Sequence, residues 1–231
     1  RQMCIRDRVR EAQRLTERLN RLLDRKLRVK GVLSLSLDCI FSKLLLVAKK
    51  RYAGKVFYKD DEYREEFIYK GLEVVRSNTS ELTYEVQSKL IEMVLDERCR
   101  EEITAYLREI VSTVKDRDWM EIGIPTKITK RLEEYEHEPI HIRAVKYSNR
   151  YLGTDFREGD KPLWCYVKVK SGLPRTDVIA YDEWTTIPEN IEPDWDTILD
   201  KQVRRKVEDI LALVGISWRH IQGYGSLDRW F

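Results

Sequence analysis

Leu44-Leu45-Leu46-Val47-Ala48-Lys49-Lys50-Arg51-Tyr52-Ala53-Gly54 sets an apolar run directly against three cations and an aromatic ring. The run predicts a buried strand. A buried strand that ends in a basic cluster fixes those charges in space, so little ordering entropy is lost when they meet a polyanion. The pattern suits a reader of phosphate backbone; taken alone, it equally suits a strand end whose charges keep the surface solvated. Just upstream, Val32 to Asp38 alternates Leu33, Leu35 and Leu37 with Ser34, Ser36 and Asp38, which predicts a strand with one polar face. Tyr52 to Tyr58 and Glu66 to Tyr69 read as further strands around Lys59-Asp60-Asp61-Glu62, whose carboxylates read as a solvated hairpin tip. From Val9 to Leu27, the residues Ala12, Leu15, Leu19, Leu22, Leu23 and Leu27 recur at helical spacing. Residues 31–70 are therefore expected to form a small, mainly antiparallel sheet with this helix across it.

Beyond the sheet the pattern turns helical. Asn78 and Glu81 read as a capping box opening a helix with Leu82, Val86, Leu90 and Val94 along its seam. A second helix is expected from about Arg98 to Lys115, with Ile103, Leu107, Ile110, Val111 and Val114 inward, and a domain boundary near Asn78. Pro139 to Leu152 reads as a helix with Ile140, Ala144, Tyr147 and Tyr151 on one face, Arg143, Lys146 and Arg150 on a neighbouring one, and Gly153 as its stop. Leu163 to Lys170 alternates like a strand, and a closing helix from about Asp196 to Val214 is expected to bury Ile198, Val203, Val207, Ile210, Leu211 and Val214. The fold class is α+β: a small sheet with a packed helix, then a largely helical domain. The first eight residues match nothing that follows and read as a non-native cloning scar.

Composition narrows the function classes. The 231 residues carry a net charge of only +3, so any binding to a polyanion must be local. Residues 1–30 hold eleven Lys/Arg against four Asp/Glu. Cys4, Cys39, Cys99 and Cys165 are scattered without metal-ligand spacing and read as free thiols of a reducing cytoplasm. No run reaches the ~20 apolar residues of a membrane span. His137, His141 and His220 lack an orienting partner, and no glycine-rich phosphate loop is present, so the chain as given is expected to be catalytically inactive.

Several stretches in order carry a family resemblance. Leu44 to Gly54 resembles the Lys-Lys-Arg-Tyr motif of family B DNA polymerases, and Lys70-Gly71-Leu72-Glu73-Val74-Val75-Arg76 resembles the segment that follows it there. Ser80-Glu81-Leu82 with Gln87, then Ile128-Thr129-Lys130-Arg131-Leu132 with Tyr135, and Pro139 with His141-Ile142, resemble the thumb of that family, archaeal members above all. The resemblance implies the end of a polymerase palm over residues 9–77, a thumb over 78–222 and a tail over 223–231. In the intact enzyme it implies DNA-directed DNA synthesis from deoxynucleoside triphosphates with Mg²⁺, whose two aspartate ligands nothing in this chain matches; Asp38 is the one weak metal candidate. Lys49, Lys50, Arg51, Tyr52, Arg76, Gln87, Thr129, Lys130, Arg143, Lys146 and Arg150 are the implied contacts to primer–template DNA. They suit phosphate and minor-groove binding, which a sequence-tolerant enzyme needs. Tyr224 to Phe231 resembles a sliding-clamp-binding peptide, with Leu227, Trp230 and Phe231 as its apolar plug and Tyr224 where Gln is expected. The implied setting is cytoplasmic and nucleoid-associated. The second reading is a non-catalytic DNA-binding or clamp-adaptor protein derived from the same module.

Overall fold

The computed structural model describes residues 2–222, so the candidate clamp peptide lies outside the described residues. The chain forms two compact units, one through Lys70 and one from Gly71 onward. The first unit opens with α1 (Gln2–Leu27), which continues back through the residues read as foreign. A three-stranded antiparallel sheet follows: β1 (Cys39–Ala48), β2 (Arg51–Lys59) and β3 (Glu62–Lys70), with β2 central. Asp60 and Asp61 form the two-residue turn between β2 and β3 at φ 51° and 62°. Left-handed φ at both positions is the geometry that matches strand twist in a tight hairpin, and Asp tolerates it.

Two expectations fail in this unit. Residues 32–38 form no strand: they remain irregular, and Val32, Leu33 and Leu35 are exposed. Alternation makes a strand only where a neighbouring backbone completes the ladder. Here the Asn20 side chain takes that place for a single residue, its Nδ2 donating to Leu35 O at 2.9 Å and its Oδ1 accepting from Leu35 N at 2.7 Å. The apolar run 44–48 is not buried throughout either, since Leu44 and Leu46 are exposed. β1 is a strand with one face open, and α1 likewise leaves Leu15, Leu19, Leu22 and Leu27 exposed. The helix meets the sheet where Gln13 Nε2 donates to the Tyr58 hydroxyl at 3.2 Å.

The interior of β2 depends on a missing side chain. A Cβ built on Gly54 would stand 2.3 Å from Phe41 Cδ1 and 3.1 Å from Lys43 O. The Phe41 ring occupies that space and meets Tyr52 edge-on at 6.2 Å. Gly54→Ala is expected to cost about 1–3 kcal/mol through overpacking, read by urea unfolding. Most of that loss should vanish in a Phe41→Ala background, and a loss undiminished there would place its cause elsewhere.

The second unit begins with a 3₁₀ turn, Glu73–Val75, and α2 (Glu81–Leu95). The cap of α2 is Ser80, whose hydroxyl accepts from Thr83 N, and not Asn78; the helix starts where a side-chain oxygen reaches its third residue. α3 (Arg100–Thr113), α4 (Trp119–Ile122) and β4 (Ile124–Pro125) follow. Next come α5 (Ile140–Tyr151), β5 (Leu163–Val169), β6 (Val178–Tyr181), β7 (Ile191–Pro193) and α6 (Trp195–Ile198). A π-helical segment, Leu199–Arg204, leads into α7 (Arg205–Leu213), and α8 (Trp218–Ile221) closes the described chain. β4, β5 and β6 pair antiparallel in that order, and β7 also pairs with β5. This domain therefore holds a sheet of its own, of which only β5 was expected.

α2 packs against α4, the π segment and α7. A π segment leaves its carbonyls out of register, and here the buried Gln202 settles it: its carbonyl accepts from Thr83 Oγ1 at 2.7 Å, its Oε1 from Ser80 Oγ at 2.6 Å, and its Nε2 donates to Ile122 O at 2.9 Å. α5 lies on β6 and turns Ile142, Ala144, Val145 and Ser148 into the core. The expected face of Ile140, Tyr147 and Tyr151 is only partly covered, and the Tyr147 hydroxyl donates to Pro174 O at 2.8 Å. Gly153, at φ 72°, ends that helix as expected.

Candidate nucleic-acid interface

Lys49 and Lys50 form the two-residue turn between β1 and β2, closed by the pairing of Ala48 with Arg51. Both are exposed, and Lys50 sits at φ 63°. The charges are thus carried on a hairpin tip. Arg51 and Tyr52 open β2, and because successive strand residues point to opposite faces, they do not share one. The four residues read together from sequence separate into an exposed pair of ammonium groups, a guanidinium on one sheet face and a phenol on the other. Across the ladder from Tyr52 lies Lys70, exposed at the end of β3. Directly paired residues present their side chains on the same face, so Lys70 brings a cation beside Tyr52. Lys70 was missing from the expected contacts, and only the strand register reveals it.

In the second unit the expected contacts divide by environment. Gln87 is fully buried. Its Oε1 accepts from Glu73 N at 2.8 Å and Val74 N at 3.3 Å, and its Nε2 donates to Lys206 O at 2.6 Å. A buried amide that makes these three bonds joins the 3₁₀ turn, α2 and α7, and is turned away from any ligand at the surface. Arg76 is exposed and paired with Glu73 at 3.0 Å. On α5, Arg143 is paired with Asp177 at 2.9 Å and Lys146 with Glu138 at 2.6 Å, while the Arg150 guanidinium lies 5.4 Å from the Tyr151 ring centroid. Such surface pairs are worth about 0–1 kcal/mol each, so a phosphate can displace them at small cost.

Thr129 and Lys130 are exposed on the loop after the buried Ile128. That loop returns on itself through a 3₁₀ turn, Leu132–Glu134, and brings the Tyr135 hydroxyl 3.1 Å from Thr129 N and 3.2 Å from Thr129 Oγ1. Burial alone would raise the Tyr135 pKa, but the hydrogen bonds from Thr129 and the nearby Lys130 hold it below the ordinary tyrosine value. Tyr135 is the second residue absent from the expected contacts, although the motif around Thr129 contains it.

Among the described residues no group of three or more His, Cys, Asp or Glu side chains is placed to hold a metal ion, so those residues do not fit a catalytic metal pair. Asp38 is exposed, with Cys39 Sγ 4.0 Å from it. His220 caps α8, its Nδ1 accepting from Ser217 N at 3.1 Å, and burial lowers the pKa of His141. Cys39, Cys99 and Cys165 are free thiols, and burial pushes that of Cys165 up to about 12. A cleft of about 640 Å³ beside Phe156 and Trp184 is lined by Asp155, Asp160 and Asp182 against one lysine, a charge balance that disfavours a polyanion. No described helix is long and apolar enough to cross a membrane.

The chain is similar to the DNA polymerase delta catalytic subunit of Caenorhabditis elegans, 26% identical over 77% of this chain and 17% of that protein. It is similar to DNA polymerases of Archaeoglobus fulgidus, 30% identical over 56% of this chain and 16% of that protein, and of Thermococcus aggregans, 28% identical over 87% and 11%. The chain thus spans between 11% and 17% of the length of these relatives. The model of DNA polymerase family B matches residues 3–214, which includes most of the stretch read as foreign, and the chain belongs to that family.

Proposed function

We propose that this chain is the end of the palm (residues 9–77) and the thumb (78–222) of a DNA-directed DNA polymerase, and that its task is to grip primer–template duplex irrespective of sequence. The observation that carries this reading is the exposed Lys49-Lys50 turn that joins the paired strands β1 and β2. A point charge on a paired hairpin suits phosphate contact, and Tyr52 with Lys70 adds a donor pair on one strand face. Arg51, Arg76, Thr129, Lys130, Arg143, Lys146 and Arg150 are the further proposed contacts. In the intact enzyme Mg²⁺ supplies activation of the primer 3′ hydroxyl and charge stabilisation during nucleotide transfer. Nothing in this chain is assigned to that chemistry; its residues hold and orient the duplex. The tail residues Leu227, Trp230 and Phe231 are proposed to engage a sliding clamp.

The test is binding of labelled primer–template duplexes of unrelated sequence over a salt series. Equal affinities that fall steeply with salt are expected, and salt-independent or absent binding overturns the reading. In the same preparation, deletion of residues 227–231 should abolish retention on an immobilised clamp ring and leave duplex affinity unchanged. Retention by the deleted chain refutes the clamp assignment.

A further inference from the structure

The Thr129 loop contains a hydrogen-bond chain whose direction is set by what it must meet. Thr129 N donates to the Tyr135 oxygen at 3.1 Å, so one lone pair of that oxygen is occupied. Thr129 Oγ1 lies 3.2 Å from the same oxygen, with either hydroxyl able to donate. Phosphodiester oxygens only accept, and a threonine hydroxyl that contacts one must point its proton outward. Its lone pair is then free to accept from Tyr135. Thr129 is exposed, whereas Tyr135 is half-buried and packed, with Leu132, against the core that holds Ile128, Ile142 and Val145. The exposed group is therefore the one that reaches the ligand, and the half-buried one stands behind it.

We infer that Tyr135 is a positioning residue for the phosphate contact: its hydroxyl donates to Thr129 Oγ1, accepts from Thr129 N, and so aims the threonine proton at a phosphate oxygen beside the Lys130 ammonium. The inference rests on the primer–template reading of the chain. The ring also fixes the loop, because Ile128 and Tyr135 anchor both ends of the exposed residues 129–131 in one core. Lys130 supplies charge, and Thr129 with Tyr135 supplies direction.

The test compares the full chain with Tyr135→Phe, Thr129→Val, Thr129→Ser, the Tyr135→Phe/Thr129→Val double variant and Lys130→Ala, binding one labelled primer–template duplex over a salt series. Tyr135→Phe and Thr129→Val should each weaken binding about tenfold, as for one hydrogen bond to a charged group, with the salt slope of the unaltered chain. The double variant should be no weaker than either single one, because both break one chain of bonds. Thr129→Ser should bind as the unaltered chain does, and Lys130→Ala should flatten the slope by about one ion. Additive losses, or losses that follow a lowered unfolding midpoint, overturn the inference. Binding by Tyr135→Phe equal to that of the unaltered chain overturns it alone; absence of binding by the unaltered chain overturns the primer–template reading and the inference with it.

Discussion

Gln87→Met is expected to lower the unfolding free energy by about 3 kcal/mol, as three polar backbone groups lose their partner, and to leave primer–template affinity unchanged within about twofold. Methionine matches the length and nearly the volume of glutamine, so the change creates no cavity and tests the hydrogen bonds alone. Glu73 N, Val74 N and Lys206 O would be left to find water in a partly covered site. The same turn carries Glu73, which is paired with Arg76 at 3.0 Å and with Lys206 at 3.3 Å, so loosening it also weakens two ion pairs. For a unit of this size the unfolding midpoint should fall by about 6–12 °C, measured by circular dichroism. An unchanged midpoint with lowered duplex affinity would instead restore Gln87 to the DNA-binding surface.

Gln87 also marks the limit of what the sequence discloses. Its Nε2 bonds a carbonyl 119 residues away, and nothing within the helix that carries it points to that partner. The long helices are legible because their apolar residues repeat at helical spacing over several turns, as Leu82, Val86 and Leu90 do. β1 to β3 are legible because turn residues punctuate them. β4, β6 and β7 span only two to four residues, too few for a period to emerge. The alternation of residues 32–38 is real, but a strand needs a partner as well as a pattern. The site behaves in the same way. The Lys49 and Lys50 charges stand out in the chain, whereas Lys70 joins Tyr52 only through register, and Tyr135 reaches Thr129 only through the turn between them.

Removing both charges from the hairpin tip, as Lys49→Gln with Lys50→Asn, should produce the largest loss of binding. Asparagine tolerates the left-handed backbone at Lys50, φ 63°, better than most residues, so the turn itself should persist. If each lysine neutralises one phosphate, the slope of log affinity against log salt should fall by about 1.8. The loss then depends on the salt at which it is read: about two hundredfold at 0.05 M and about twentyfold at 0.2 M. It should be the same for every duplex sequence, since phosphates carry no sequence information. A loss confined to some sequences would mean that the tip reads bases. A loss independent of salt would mean that the substitutions act through the fold of β1 and β2 and not through charge. The unfolding midpoint separates the two, because a tip exposed to solvent should leave it unchanged while the duplex affinity falls.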